Sequence, residues 1–394
     1  MPITQRTIRI ETPEGGGMPC YVAVPESGEG PGLLLLHDAQ GLTDHDKHLA
    51  NLYAEEGWVV AVPDLYWRHG GPVVLAFDAD GRVEAGGMAA DLDDSRAVRD
   101  ADAAFSALAA LGETSAECGV VGHGRGGRIA LLLAARDHRV RCAVAYYPHA
   151  IDTCAGMLSG VNCAGVIHLA RDQAAITAPA ALAVHSYAAD RGFDNPNLAA
   201  FDRSAHWLAK SRSLAALRGA LGPVYDLAKL WEAHLYSEFA ERNVDVSMAT
   251  MVDEPYVLVV PTVTGGTGKE RLHRWYSNHF HFQNPTDTTI VPISRTVGSD
   301  RLVDEFVFCF THDRVMDWLL PNVAPTGKYL EVPMIAVVNF RGAKLYHEHI
   351  WWDQATVLVQ AGLLDPSGLP VTGIEQSRAI QDEDLPRNRL IPGW

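Results

Sequence analysis

No run of eighteen apolar residues occurs in the 394-residue chain, which argues against a membrane-spanning helix of ordinary length. The opening stretch MPITQRTIRIETPEGG lacks the apolar segment of a secretory signal, so a cytoplasmic setting is expected. Basic residues are scarce. Lys and Arg number 32 against 48 Asp and Glu, leaving a net charge of −16, which argues against nucleic acid or an anionic membrane as a partner. Cysteine is sparse and unpatterned. The six (20, 118, 142, 154, 163 and 309) sit mostly in apolar runs with no C-x-x-C or Cys/His ligand spacing. Buried free thiols in a reducing compartment are expected, not disulfides or structural zinc. Internal repeats and low-complexity tracts are also absent, which removes solenoids from consideration.

What remains is a chain with 47% hydrophobic residues, enough for real cores, and two halves of different grammar. Up to about residue 221, short apolar runs such as GLLLLHD, WVVAVPD, CGVVGHG and RCAVAYYP alternate with amphipathic stretches such as DKHLANLYAEEG. Strands apolar on both faces and separated by helices predict a doubly wound parallel α/β domain over 1–221. After Pro223 a helical segment, VYDLAKLWEAHLYSEFAERN, leads to a shorter helix and then to long strands. That order predicts an α+β domain over 222–380, and 381–394 reads as an extended, charged tail.

One turn in the first half poses a chemical question. VVGHGRGG is a strand running through a glycine-rich elbow into a helix, the place where hydrolases present Ser or Cys. The central residue here is Gly124, which has no side chain. Read as G-x-G-x-x-G, the same turn lacks the context of a dinucleotide site: it comes late in the fold, and no acid ends the next strand. No cofactor is expected. With LLLLHDAQGL and VPDLYWR upstream, the first half resembles the dienelactone hydrolase family of α/β hydrolases. That resemblance implies a Cys nucleophile, an Asp, a His and an early acid. Carried over, they fall at Gly124, Asp172, Arg191 and Asp38. Nucleophile and His are missing, so the resemblance implies a degenerate hydrolase site. His123, beside the elbow, is expected to point away from the crevice, with His185 and His206 at the surface or in the core.

The second half carries TGGTGKERLHRWY, THDRVMDWLLPNVAPTGKYLEVP and LYHEHIWWDQATVLVQAGLL. These resemble the SnoaL-like branch of the NTF2-like fold, a sheet wrapped on helices around a pocket. The resemblance implies cyclase, isomerase or lyase chemistry on a small polyketide-like or aromatic molecule, and a homodimer. Strand alternation in the last of these runs sets Tyr346, Glu348, Ile350 and Trp352 on one face, with His347, His349, Trp351 and Asp353 on the other. Each face offers a titratable group beside Trp, as acid–base catalysis needs. Glu348 is the first candidate base, followed by His349 and Asp353. Tyr256, Trp275, His312, Trp351 and Trp352 are candidate substrate-binding residues. Trp231, Tyr236, Phe239 and Tyr276 read as core at helical spacing. His273, His279 and His281 lack a carboxylate nearby in sequence, and no metal is expected. Ester hydrolysis in the first domain and non-catalytic ligand binding are the alternatives.

Overall fold

The computed structural model describes residues 3–70 and 73–394. The chain divides into two compact units, Met1–Val224 and Tyr225–Trp394. Among the described residues no helix is long and apolar enough to cross a membrane, and the six cysteines are free thiols.

The first unit is built on an eight-stranded sheet. Its strands are β1 (Thr4–Glu11), β2 (Gly17–Val24), β3 (Gly30–Leu36), β4 (Val59–Pro63), β5 (Thr114–His123), β6 (Val140–Tyr146), β7 (Ala164–Leu169) and β8 (Leu182–Ser186). They lie in the order β1-β2-β4-β3-β5-β6-β7-β8. The first two pairings are antiparallel and the rest parallel. The unbroken apolar runs serve this burial on both faces. Leu34 and Leu36 pack with Ile129 and Leu133 on one side, while Leu33 and Leu35 pack with Trp58 and Leu217 on the other. The helix Gly124–Arg136 starts directly at the end of β5. A Cβ on Gly126 would lie 2.2 Å from the Leu36 carbonyl oxygen, so glycine is what lets this helix close on β3.

The second unit has a six-stranded sheet of β9 (Met251–Val259), β10 (Thr264–Thr267), β11 (Thr289–Val297), β12 (Arg301–Thr311), β13 (Tyr329–Arg341) and β14 (Lys344–Trp351). The order is β10-β9-β14-β13-β12-β11, antiparallel throughout except for β9 beside β14. Alternate residues Phe306, Phe308 and Phe310 of β12 and Leu330, Val332, Met334, Ala336 and Val338 of β13 form one apolar face. Against it pack Trp231, from the helix Leu227–Leu235, and Trp275 and Phe280. Two helices here widen into π-helical turns at their C-terminal ends, at Tyr236–Ala240 and Tyr276–Phe280. Such turns re-aim side chains and are frequent at functional sites.

Candidate functional site

Three ionisable side chains meet in the interior of the second unit. His234 lies in the last turn of the helix Leu227–Leu235, Glu238 lies on the π-helical turn after it, and Glu348 projects from β14. His234 is fully buried; Glu238 and Glu348 are 3% and 1% exposed. His234 Nε2 lies 3.0 Å from Glu238 Oε1 and 3.1 Å from Glu348 Oε1. Its Nδ1 is 2.6 Å from Thr250 Oγ1, whose hydroxyl donates to the Ser247 carbonyl. Since that hydroxyl proton is committed, Nδ1 must donate to Thr250, and the carboxylates demand a proton on Nε2 as well. The ring is an imidazolium. Burial opposes that charge, but the two carboxylates outweigh it and hold His234 up at about 10. Burial and the nearby Glu238 push Glu348 the opposite way from an ordinary ion-paired carboxyl, above its usual value, against the pull of His234. A single Nε2–H cannot point at two carboxylates. Glu348 Oε1 is accordingly left without a well-directed hydrogen bond. The Tyr276 hydroxyl completes the group 3.3 Å from His234 Nε2, and burial keeps it a neutral phenol.

Glu238 and Glu348 form the polar wall of a cavity otherwise lined by Trp231, Phe239, Phe280, Phe306, Phe308, Trp318 and other apolar side chains. The free space is about 30 Å³ for the centre of a water-sized sphere, room for one or two waters. A larger guest must turn the rings aside. One nitrogen and two carboxylate oxygens of His234, Glu238 and Glu348 lie within 4.8 Å of one another. They form a set able to hold a divalent ion where the Nε2 proton now sits. A larger cavity, about 1030 Å³, lies elsewhere in this unit, lined by Val359 and Gln360 of the helix Gln354–Ala361 and by tail residues such as Leu390 and Ile391. It holds no buried acid–base pair, so the chemistry points to the smaller one.

The other catalytic and substrate-binding candidates named in the sequence lie apart from this cluster. A bulge in β14 at Tyr346 shifts the alternation, so Leu345 joins Glu348 on the core side. Tyr346 instead shares the opposite face with His347, both rings packing on Tyr256. His349 is on that face too, 3.0 Å from the Tyr256 hydroxyl. Asp353 caps the helix Gln354–Ala361, accepting from Ala355 N and Thr356 Oγ1. Trp351 is half exposed, Trp352 sits edge-on to Trp318, and Trp275 stacks on Phe280. His312 is held by Thr326. His234 and Glu238 were missed. Their signal was H-x-x-x-E at one-turn spacing within an apolar helix.

In the first unit, the residues around Gly124 form a second constellation. Gly124 has φ +49°, and a Cβ there would fall 1.9 Å from Asp38 Oδ1 and 2.4 Å from Asp38 Oδ2. The Asp38 carboxylate thus fills the space into which an elbow side chain would project. Its Oδ1 accepts from Ala39 N at 2.7 Å and Arg125 N at 3.0 Å. These two amides, one after β3 and one after the elbow residue, are the pair that forms the oxyanion hole in such folds. Asp38 lines a small cavity with His45, Asp46 and His123, and an adjoining pocket of about 290 Å³ with Gln40, Arg82 and Arg191. His123 therefore does face the crevice side, pinned 3.0 Å from Asp194 Oδ2. Burial raises Asp194, but His123 and the Tyr147 hydroxyl overcome it and hold the carboxyl down at about 2.

The family model described as "Dienelactone hydrolase family" matches residues 18–215, just over half of the chain. The chain belongs to the dienelactone hydrolase family. A "Putative carboxymethylenebutenolidase" of Salmonella typhi is 30% identical over 136 residues, covering 34% of this chain and 49% of that protein. The chain thus spans about half the length of the curated relatives it matches first. A "Putative Dienelactone Hydrolase" structure from Klebsiella pneumoniae is similar at 22% identity and a TM-score of 0.48, covering 55% of this chain and 98% of its own. A "Putative SnoaL-like polyketide cyclase" from Jannaschia sp. CCS1 is similar at 16% identity and a TM-score of 0.30, covering 36% of this chain and 97% of its own. Within the dienelactone hydrolase unit, Arg191 stands beside Asp172, its Nε 2.8 Å from Asp172 Oδ2 in an exposed ion pair. An arginine on an aspartate offers positive charge but no base, whereas an imidazole there would take a proton.

Proposed function

We propose that the second unit is a cofactor-free acid–base catalyst. It moves a proton on a small, flat, largely apolar molecule next to a carbonyl or a leaving group, giving cyclisation, isomerisation or elimination. The observation that carries this reading is Glu348, a buried carboxylate on the wall of an aromatic cavity, raised by burial and left with an oxygen free of a well-directed hydrogen bond. A base with those properties is poised nearer neutrality than a solvated glutamate. Glu348 takes the proton. His234 holds the carboxylate in place and favours its ionised form, and Glu238 is the second carboxyl able to return a proton at another atom. The apolar walls exclude water and favour a guest with little charge of its own.

The test is solvent deuterium exchange, followed by NMR, on a panel of cyclic β-diketones and α,β-unsaturated ketones. Exchange next to the carbonyl is expected with the wild type and should fall about a hundredfold or more in Glu348→Gln. Equal exchange in wild type and variant overturns the assignment. Loss of exchange with a chelator, restored by a divalent ion, hands the three residues to a metal and overturns the cofactor-free reading.

For the first unit we infer that acyl transfer from residue 124 is lost. Glycine offers no nucleophile, and a substrate carbonyl would have to displace Asp38 from the two amides that should receive it. Both facts weigh against residual ester or lactone hydrolysis by the family's own route.

A further inference from the structure

The Asp38 carboxylate is divided in use. Oδ1 takes both backbone amides, at 2.7 and 3.0 Å, while among the described residues no hydrogen bond falls on Oδ2 of this side chain, which lines two cavities. A plug that merely satisfied two N–H groups would explain Oδ1. It does not account for a second oxygen without such a bond, 2.4 Å from where an elbow Cβ would stand, on a residue that lines a pocket of about 290 Å³ with room for a small guest.

We propose that Asp38 is a carboxylate nucleophile, and that the first unit hydrolyses small alkyl electrophiles bearing an anionic group, of the 2-haloalkanoate class. Asp38 Oδ2 forms a bond to the carbon that carries the halogen, the carbon–halogen bond breaks, and halide leaves with the bonding pair. The product is an alkyl ester of Asp38. Water then adds to Asp38 Cγ, giving up a proton to an imidazole. The negative charge of the tetrahedral intermediate develops on Oδ1, the oxygen already held by Ala39 N and Arg125 N. Donors at 2.7–3.1 Å from that oxygen are what the step requires. On collapse, the bond from Cγ to the alkyl-bearing oxygen breaks and the departing alkoxide takes the proton back. The net change is haloalkanoate plus water to hydroxyalkanoate, halide and a proton. The product carries an oxygen that came from Asp38, and the water oxygen stays in the carboxylate.

The surroundings supply the other parts. His45 lines the small cavity with Asp38. Burial lowers its basicity below the ordinary value, so the ring is neutral at pH 7 and free to accept a proton. Arg82 and Arg191 line the larger pocket, and each offers a guanidinium for the anionic end of the substrate. The same arrangement would disfavour acyl substrates. Their carbonyl oxygen needs the hole that Oδ1 fills, whereas displacement at a tetrahedral carbon needs Oδ1 to be there.

The experiment uses the full chain with bromoacetate and 2-bromopropionate. Halide release is expected, falling on the order of a thousandfold in Asp38→Asn, which keeps an acceptor oxygen for the two amides. A single turnover of wild type in ¹⁸O-water should place the label in the peptide carrying Asp38 and leave the hydroxy acid unlabelled. His45→Gln should accumulate the ester at Asp38, seen in the intact mass and discharged by hydroxylamine. The labelling needs no variant, so it stands even if Asp38→Asn fails to fold. Label in the hydroxy acid alone, halide release unchanged in Asp38→Asn, or no release and no modification of Asp38 after long incubation with excess reagent each overturn the proposal.

Discussion

Replacing His234 by Leu removes the cation between Glu238 and Glu348 and leaves an apolar side chain of similar bulk. Two opposing effects set the size of the result. Holding an imidazole at about 10 in place of 6.5 corresponds to about 5 kcal/mol below pH 6.5 and about 4 kcal/mol at pH 7, at 1.36 kcal/mol per tenfold. Against this, Glu348 is raised rather than lowered, because burial and Glu238 outweigh His234. The pair therefore returns less than the histidine alone suggests, and about 3 kcal/mol is left. An independent bound agrees. The variant can escape by protonating one carboxyl, which for a group of ordinary value 4.5 costs about 3 kcal/mol at pH 7. Loss of one partner of a buried pair falls in the same range, about 3–5 kcal/mol. By calorimetry on the full chain, this should lower one of two transitions by about 10 °C at pH 7 and leave the other in place. The pH dependence follows from the direction of the histidine shift. Its stabilisation is fully present below about 6.5 and is lost as pH rises through about 10. The gap between wild type and variant should also close on acidification, as the carboxyls take up protons. A variant within 1 kcal/mol of wild type at pH 7, or a gap that widens towards pH 4, would refute the ionised trio.

Asp353→Ala should cost about 1 kcal/mol in urea unfolding by loss of the helix cap and leave deuterium exchange unchanged, whereas a catalytic Asp353 would abolish exchange. Gly124→Ala should destabilise the first unit by about 1–3 kcal/mol, since its Cβ would fall on the Asp38 carboxylate at a positive φ; adding Asp38→Ala should recover part of the loss, and no recovery would mean that backbone strain alone is at work. Asp194→Asn should cost about 2 kcal/mol at neutral pH, because a carboxyl held at about 2 contributes stability that is present above about 3.8 and lost as pH falls through 2. Its acid unfolding limb should be flatter than that of wild type, and an unchanged limb would remove the His123–Asp194 pair from the account.

How far the sequence could be read depended on whether the information was local. The α/β unit was legible because runs such as Leu33–Leu36 must be buried on both faces, and the elbow because glycines at 122, 124, 126 and 127 leave little else to fit. Glu348 stood out as an acid in an aromatic strand. Its companions did not, for two physical reasons. The bulge at Tyr346 breaks the period of two, so alternation assigned Tyr346 to the wrong neighbours. The π-helical turns carrying Glu238 and Tyr276 depart from the 3.6-residue period by which helix faces are read. Asp353 was misleading in the opposite sense. An acid three residues before Thr356 at the start of a helix is a capping pattern, and the aromatic strand before it drew attention to chemistry instead. That Asp38 occupies the amides after β3 and β5 could not be read at all. It depends on two loops 87 residues apart meeting within hydrogen-bond distance.

The two sites share a device. In each, a carboxylate is held in place through groups the fold supplies, with one oxygen kept from full satisfaction. Asp38 is gripped at Oδ1 by two amides and open at Oδ2. Glu348 lies 3.1 Å from an imidazolium whose single Nε2–H must also serve Glu238. Backbone amides cannot lose their protons, so the grip on Asp38 persists while its other oxygen is alkylated and released. The imidazolium can lose its proton, so the hold on Glu348 depends on pH. The activity in the second unit should therefore fail on the alkaline side as His234 discharges near 10, while the amide donors that hold Asp38 are unchanged across that range. Halide release and deuterium exchange measured on the same full-length protein from pH 7 to 10.5 separate the two: exchange should fall while release, with His45 already neutral at pH 7, stays level. A parallel decline of both would mean that unfolding of the whole chain, not discharge of His234, sets the limit.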